Sequence, residues 1–174
     1  GRVWQMQTIG IVCALELELE PYLEILENDI TSVKGMVTFH QGTINGRQVV
    51  VLYSGICKVN AAIATQILLD CYHVDAVIVS GTAGAIDESL ERGDSIVATE
   101  VCYHDLAAGT LTESHPWMPG ECFASDPAML ALCRENITLA GKAIHYGRIA
   151  TGEVFVDTEG RHAIIEKCNP LCVD

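Results

Sequence analysis

Basic residues are scarce in this chain. Ten lysines and arginines stand against 23 aspartates and glutamates, so the formal net charge is −13. A surface of that sign repels nucleic-acid phosphates and anionic lipid headgroups. No apolar run approaches the roughly 20 residues of a membrane span, and the N-terminus has no basic stretch followed by an apolar core. We therefore expect a soluble, cytoplasmic protein that binds neither nucleic acid nor membrane.

The eight cysteines include no C-x-x-C pair, and most lie in apolar segments. Without a secretory signal, they are interpreted as small, reduced, buried hydrophobic residues rather than as disulfides. Cys102, His104 and Asp105 are ligand-type residues, but neighbours on a strand alternate between its faces and cannot converge on one ion. We expect no metal and no other cofactor.

Linkers, repeats and low-complexity stretches are also absent, and 174 residues are enough for one domain with a sizeable core. Strand and helix patterns alternate along the chain. They predict strands at 8–14, 34–44, 47–54, 74–80, 94–103, 143–150 and from 171 onward, and helices at 17–28, 59–71, 126–139 and 158–167. This order predicts an α/β fold: one three-layer domain, residues 1–174, with a central mixed β-sheet flanked by helices. Strands 8–14, 74–80 and 143–150 are expected at its centre.

Two local signals mark boundaries within this pattern. Asn45-Gly46 accepts positive φ at both positions and predicts a tight hairpin turn. Asp126-Pro127 is typical of a helix start, with an N-cap followed by proline in the first turn. Residues 106–124, rich in proline and glycine, are expected to form a loop.

The segment 74–80 (VDAVIVS) is apolar and β-branched, as in strands buried on both faces, and it breaks into Gly81-Thr82-Ala83-Gly84. Ligands of open α/β sheets bind at the carboxyl ends of the strands. Glycines there let the backbone approach a ligand, and Thr82 offers a hydroxyl. An ordinary strand-to-loop turn would explain the same residues.

Three carboxylates, Glu16, Glu18 and Glu20, follow the first predicted strand. A carboxylate at that position could act as a general base on water, or all three could simply favour the positive end of the helix dipole. Phe155 follows another glycine turn, Thr151-Gly152-Glu153. Its ring could stack on a planar ligand or fill the core.

The chain resembles the 5′-methylthioadenosine/S-adenosylhomocysteine nucleosidases of the purine nucleoside phosphorylase/nucleosidase superfamily. Seven segments carry the resemblance, and they follow in the family's order through almost the whole chain. They are IGI at 9–11 with Glu16 and Glu18, SGI at 54–56 with Lys58-Val59, SGTAG at 80–84, GDSIV at 93–97, YHD at 103–105, PG at 119–120, and TGE at 151–153 with Phe155-Val156.

The resemblance implies a role for individual residues. Glu18 matches the general base that activates water, and Thr82 matches a serine that helps to hold that water. Phe155 matches the aromatic residue that stacks on adenine, the backbone of Val156 matches a group that hydrogen-bonds the base, and Ile56 matches an apolar wall around the ribose and its 5′-alkylthio group. Glu18, Thr82, Phe155 and Val156 are expected to line one pocket at a common edge of the sheet.

Further substrate contacts are implied for Ala83 and Gly84, which lie in the glycine turn. Leu111 and Pro119 match positions at which the partner subunit of a homodimer closes the alkylthio pocket, although an aromatic residue is more usual at the place of Leu111. The expected partners are a small-molecule nucleoside and a second copy of the chain.

The family's Met-Glu pair that binds the ribose hydroxyls would follow Asp174 directly, and its catalytic aspartate and an arginine lie further on. The resemblance thus implies a chain shortened at the C-terminus, with little turnover of its own, from an enzyme that hydrolyses adenine from 5′-thioadenosines. A phosphorylase of the same fold is the first alternative, but it would need a phosphate cradle where this chain has carboxylates. A nucleoside-binding scaffold without activity is the second.

Overall fold

The computed structural model describes residues 7–139 and 141–174. Within them the chain divides into two compact units, the first ending at Thr82 and the second beginning at Ala83. Each unit contains one five-stranded mixed sheet with helices, so the predicted α/β class is confirmed. The strands pair within two sheets where the sequence pattern predicts one, because that pattern identifies strands without identifying their partners. The expected single domain stays a prediction.

The first unit contains strands β1 (Thr8–Cys13), β2 (Glu27–Lys34), β3 (Val37–Ile44), β4 (Arg47–Tyr53) and β5 (Ala76–Val79), with helices α1 (Glu16–Ile25) and α2 (Lys58–Tyr72). The strand order is β2-β3-β4-β1-β5. Strand β1 runs parallel to both β4 and β5, whereas β2, β3 and β4 form an antiparallel meander.

The apolar run in β4 is buried on both faces of this sheet. Val50 and Leu52 pack in one cluster with Leu68 of α2, and Val51 packs in a second cluster with Leu19 of α1. Alternate side chains of a strand point to opposite faces, so each helix covers one face. This packing holds the start of α1 close to the end of β1.

The predicted hairpin turn is confirmed, with φ of 49° at Asn45 and 76° at Gly46. The predicted first helix is wrong at its end, because α1 stops at Ile25 and strand β2 follows. Strand β2 is mostly exposed, so it lacks the apolar alternation that identifies a strand in sequence. Its hydrogen bonds to β3 hold it instead.

The segment 74–80 forms a strand, but the prediction that it is central and buried is wrong. Among the residues that the structure describes, strand β5 is the last of its sheet and pairs with β1 alone. Val79 is 76% exposed and Ile78 is 38% exposed. An apolar β-branched run therefore identified the strand but not its place in the sheet.

The second unit contains β6 (Gly84–Ala85), β7 (Ser95–Tyr103), α3 (Thr110–Ser114), β8 (Cys122–Ala124), α4 (Pro127–Asn136), β9 (Ile144–Thr151), α5 (Thr158–Cys168) and β10 (Cys172–Val173). The order is β6-β10-β9-β7-β8, with β9 parallel to both of its neighbours. As predicted, Asp126 caps α4 by accepting a hydrogen bond from the Met129 N–H, 2.9 Å away. No helix in the described residues is long and apolar enough to cross a membrane.

The expectation of eight reduced, buried cysteines is wrong in part. Cys102 and Cys122 form a disulfide, since the antiparallel pairing of β7 with β8 places them directly opposite each other with their Cα atoms 4.5 Å apart. Cys57 and Cys71 are exposed. Cys13 is a buried thiol as expected, and desolvation together with the nearby charge of Glu18 raises its pKa to about 11.

Candidate functional site

Glu18 lies in the first turn of α1, immediately beyond β1. Its Oε1 accepts hydrogen bonds from the backbone N–H groups of Ala14, at 3.1 Å, and Leu15, at 2.8 Å. Leu15 is the N-cap residue of the helix, so this contact is the carboxylate half of a capping box. These two bonds alone would be explained by a structural role at the start of the helix.

The other oxygen of Glu18 makes contacts that helix capping does not explain. Oε2 accepts hydrogen bonds from the backbone N–H of Thr82, at 2.6 Å, and from the Thr82 hydroxyl, at 3.1 Å. The two residues are 64 positions apart in sequence. The parallel pairing of β1 with β5 brings them together, because the segments that follow both strands start from the same edge of the sheet.

Gly81 is required by this arrangement. A Cβ atom at position 81 would lie 2.4 Å from Oε2 of Glu18, well inside van der Waals contact. The glycine turn after β5 therefore allows the backbone to approach a carboxylate of the same unit. Glu16 and Glu20 are exposed on the same helix, so Glu18 alone of the three carboxylates is directed to the end of β5.

Ile56 lies beyond β4 in the same unit and is 59% exposed. Its carbonyl accepts a hydrogen bond of 2.8 Å from the side chain of Asn60 in α2, which fixes the backbone of the turn. That Ile56 forms an apolar wall around the substrate stays a prediction.

Phe155 lies in the second unit, in the irregular segment between β9 and α5, and is 97% exposed. Phe155 therefore fills no core formed by the described residues. Val156 is half-buried and packs against the cluster of Cys102, Ala150 and Ile164. That Phe155 and Val156 share one pocket with Glu18 and Thr82 stays a prediction.

The profile of the phosphorylase superfamily matches residues 8–168. The 5′-methylthioadenosine/S-adenosylhomocysteine nucleosidase of Exiguobacterium sp. is 33% identical to this chain over 160 residues. The match covers 90% of this chain and 69% of the relative. This chain belongs to that nucleosidase family. The corresponding nucleosidase of Chromohalobacter salexigens is 39% identical over 155 residues, 87% of this chain and 66% of the relative. The chain thus spans about two thirds of the length of these relatives.

Solved nucleosidase structures have the same fold. The enzyme of Neisseria meningitidis in complex with methylthio-immucillin-A matches with a TM-score of 0.88 and 30% identity, covering 97% of this chain and 75% of the other. The enzyme of S. pneumoniae with the transition-state inhibitor MT-ImmA matches with a TM-score of 0.86 and 34% identity. The match covers 96% of this chain and 74% of the other. A futalosine hydrolase mutant of Helicobacter pylori matches with a TM-score of 0.84 and 26% identity. The match covers 97% of this chain and 78% of the hydrolase.

The remaining residues expected from the nucleosidase resemblance are dispersed within the second unit. Ala83 lines a cavity of about 280 Å³ together with Arg92 and Asp94, and neither Phe155 nor Val156 lines it. Gly84 belongs to β6 and pairs with Val173. This cavity is at the lower limit of ligand pockets, so its volume does not identify a nucleoside site.

Leu111 and Pro119 flank a surface of the predicted loop that the nucleosidase resemblance assigns to a subunit interface. Leu111 lies in α3 and is 9% exposed, whereas Pro119 is exposed. Trp117 between them is 74% exposed and contacts the His115 ring, with centroids 5.0 Å apart. Pro119 and Trp117 are therefore more exposed than Leu111, and the subunit interface stays a prediction.

The sequence interpretation missed what the Tyr103-His104-Asp105 motif does within the unit. Asp105 Oδ2 accepts a hydrogen bond of 3.0 Å from the Glu153 N–H, and the His104 ring packs on Gly152. The one available signal was Gly152 itself, since a glycine directly after a strand indicates that another group approaches the backbone closely.

Proposed function

We propose that the full-length protein hydrolyses the N-glycosidic bond of 5′-methylthioadenosine and S-adenosylhomocysteine, releasing adenine and a thioribose. The observation that carries the proposal is the pairing of Glu18 with the backbone and hydroxyl of Thr82 beside Gly81. The nucleosidase relatives supply the substrate class. The proposal concerns the full-length protein because this chain spans about two thirds of those relatives.

In this proposal, Glu18 removes a proton from the water that attacks the ribose as the ribose gains oxocarbenium character, the logic of glycoside hydrolysis. Its two oxygens have about four lone-pair sites, and the described hydrogen bonds occupy them. The Thr82 hydroxyl is the one donor of the four that can rotate away. Rotation would free a lone pair of Oε2 for the water and let Thr82 accept from or donate to the same water.

Phe155 is proposed to stack on adenine, and the backbone of Val156 to hydrogen-bond it. The ring of Phe155 has both faces open to a ligand, because the side chain is 97% exposed in the described chain. Stacking and edge hydrogen bonds orient the base so that the glycosidic bond meets the attacking water. Ile56 would contact the ribose and the alkylthio group, while Ala83 and Gly84 would lie against the substrate.

We also propose that the protein works as a homodimer in methionine salvage, in the cytoplasm. Exposed Trp117 in the loop that carries Leu111 and Pro119 supports an interface, since water would otherwise cover that ring. The Cys102–Cys122 disulfide does not support a cytoplasmic location, because cytosolic proteins rarely keep a disulfide. Light scattering of the full-length protein tests the dimer, and a monomer at micromolar concentration contradicts it.

Product analysis tests the reaction. The full-length protein is incubated with 5′-methylthioadenosine, with and without inorganic phosphate, and the products are separated by liquid chromatography. We expect adenine and free methylthioribose at the same rate in both reactions. A phosphate-dependent rate with a sugar 1-phosphate as product would identify a phosphorylase instead. Adenosine-type ligands that bind without any adenine release would identify a binding protein.

A further inference from the structure

Residues 153–157 form the irregular segment between β9 and α5, here called the base segment because it carries Phe155 and Val156. Phe155 is 97% exposed, so packing within its unit does not hold the ring. A ring that is to stack on a ligand must nevertheless be presented in one orientation, since a mobile one loses conformational entropy on binding. The backbone on either side of Phe155 must supply that order.

The C-terminal end of the base segment is fixed by helix α5. Asp157 is the N-cap residue, and its Oδ1 accepts a hydrogen bond of 2.8 Å from the Gly160 N–H. Val156 packs against a buried cluster that includes Ile164 of the same helix. Asp157 and Val156 thus hold one side of Phe155 through an ordinary helix start.

The N-terminal end of the base segment is fixed from strand β7. The parallel ladder of β7 and β9 ends with Tyr103 opposite Thr151, and one further bond of 2.9 Å runs from the His104 N–H to the Thr151 carbonyl. Beyond it, Asp105 Oδ2 accepts a hydrogen bond of 3.0 Å from the Glu153 N–H. This carboxylate continues the ladder past the point where strand pairing stops.

A second contact from the same motif braces the turn before the base segment. The His104 ring lies so close to Gly152 that a Cβ atom there would be 2.3 Å from Cε1 of the ring. Nε2 of His104 is buried and has no hydrogen-bond partner among the described residues, so the ring is held by packing. Lys167 of α5 donates hydrogen bonds to the carbonyls of His104 and Leu106, which connects this motif to the helix that holds the other end.

We propose that Asp105 is a positioning residue for adenine recognition: its hydrogen bond to the Glu153 N–H orders the base segment so that Phe155 and Val156 are presented to the base. This role rests on the proposed function. It does not involve contact between Asp105 and the substrate. A charge-assisted bond that a carboxylate accepts from a backbone N–H suits this role, because such bonds are stronger than neutral ones.

The test compares two substitutions at one position in the full-length protein. Asp105→Ala removes the acceptor, whereas Asp105→Asn keeps an amide oxygen that can accept from the Glu153 N–H. Glu135→Ala, on the exposed face of α4, is the control for loss of one surface carboxylate. The readouts are hydrogen exchange of residues 153–157, the dissociation constant of adenine, and kcat and KM for 5′-methylthioadenosine.

We expect Asp105→Ala to speed exchange in the base segment and to raise both the adenine dissociation constant and KM about five-fold, the effect of one lost hydrogen bond. The value of kcat should change less, because ground state and transition state lose the same base contacts. Asp105→Asn should restore each value to within about two-fold, and Glu135→Ala should match the unmodified protein.

Unchanged exchange or unchanged adenine affinity in a folded Asp105→Ala protein would overturn the proposal. So would an Asp105→Asn protein as weak as Asp105→Ala, because acceptance of the hydrogen bond would then not be the cause. If the unmodified protein binds adenine but releases none from nucleosides, the proposed function fails while the role of Asp105 stands on exchange and affinity. If it does not bind adenine at all, both fail.

Discussion

The two regions that the sequence resemblance singles out are held in opposite ways. Glu18 in the first unit accepts four hydrogen bonds from its own chain, and Gly81 leaves no room between the carboxylate and the backbone. Phe155 in the second unit is almost fully exposed, and its neighbours rather than its own contacts fix it. The residue proposed to react is thus held directly, whereas the ring proposed to bind the ligand is held through the backbone on each side of it.

The difference decides what a substitution measures. A change at Glu18 alters both the chemistry and the local structure, so it needs a folding control. A change at Phe155 removes only surface that a ligand would cover, so an effect on binding can be interpreted directly.

The largest effect is expected for Glu18→Gln in the full-length protein. The amide keeps the shape but cannot take a proton from water, and turnover should fall about 10²- to 10⁴-fold. Its NH₂ group must also face at least one of the backbone donors that the carboxylate now satisfies, so some stability is lost. Adenine release and thermal unfolding are measured together.

Glu20→Gln is the matched control for this substitution, because Glu20 is exposed on the same helix. Its turnover and melting temperature should match those of the unmodified protein. Near-normal adenine release by Glu18→Gln would remove Glu18 as the base.

The next largest effect concerns the framework of the second unit. The Cys102–Cys122 disulfide closes a loop with a sequence separation of 20. Cys122→Ser should lower the free energy of unfolding by about 3 kcal/mol, measured by urea titration without reductant. Cys133→Ser, at a half-buried free cysteine, is the control. Equal unfolding midpoints for Cys122→Ser and the unmodified protein would show that the disulfide does not stabilise the native state.

Phe155→Ala should weaken adenine binding about 10- to 100-fold, the usual contribution of one base–aromatic stack. The free energy of unfolding should stay within about 0.5 kcal/mol, because an exposed ring contributes little to the folded state. Calorimetric titration with adenine and urea unfolding measure the two effects. Val154→Ala, at a 68% exposed neighbour, should change neither. If Phe155→Ala lost much stability but still bound adenine, Phe155 would contribute to folding rather than to binding. The contrast with Glu18 would then be wrong.

A smaller effect is expected at Thr82. Thr82→Val keeps the shape and the backbone N–H bond to Glu18 but removes the hydroxyl that the proposal assigns to the water. Turnover should fall about ten-fold, whereas Thr82→Ser should retain it to within about two-fold. Steady-state rates of adenine release measure both. Equal rates for the valine and serine variants would show that the hydroxyl has no part in the reaction.

Much of the fold could be predicted from local signals. Local residue preferences determine the turn at Asn45-Gly46 and the helix start at Asp126-Pro127. The structure contains both. Strand β2 could not be predicted, since hydrogen bonds to β3 hold it rather than an apolar pattern. The Cys102–Cys122 disulfide could not be predicted either, because it depends on the pairing of β7 with β8.

The candidate site could be predicted to a similar extent. Strand ends and the family resemblance predict Glu18 and Thr82 as site residues, and the structure brings the two together. The alternation of Glu16, Glu18 and Glu20 with leucines did not indicate which carboxylate turns to the sheet edge, since that depends on the start of α1. The role of Asp105 requires the register of β7 against β9, which no local pattern contains.

The central claim is that Glu18 acts as the base on water, and chemical rescue tests it most directly. Glu18→Ala in the full-length protein leaves space for a small carboxylate, and formate added to it can take up the missing proton-accepting role. We predict that adenine release from 5′-methylthioadenosine is low without formate and rises with formate concentration, while Glu18→Gln, whose amide fills the space, does not respond. A Glu18→Ala protein that releases adenine at the unmodified rate without formate would contradict the claim.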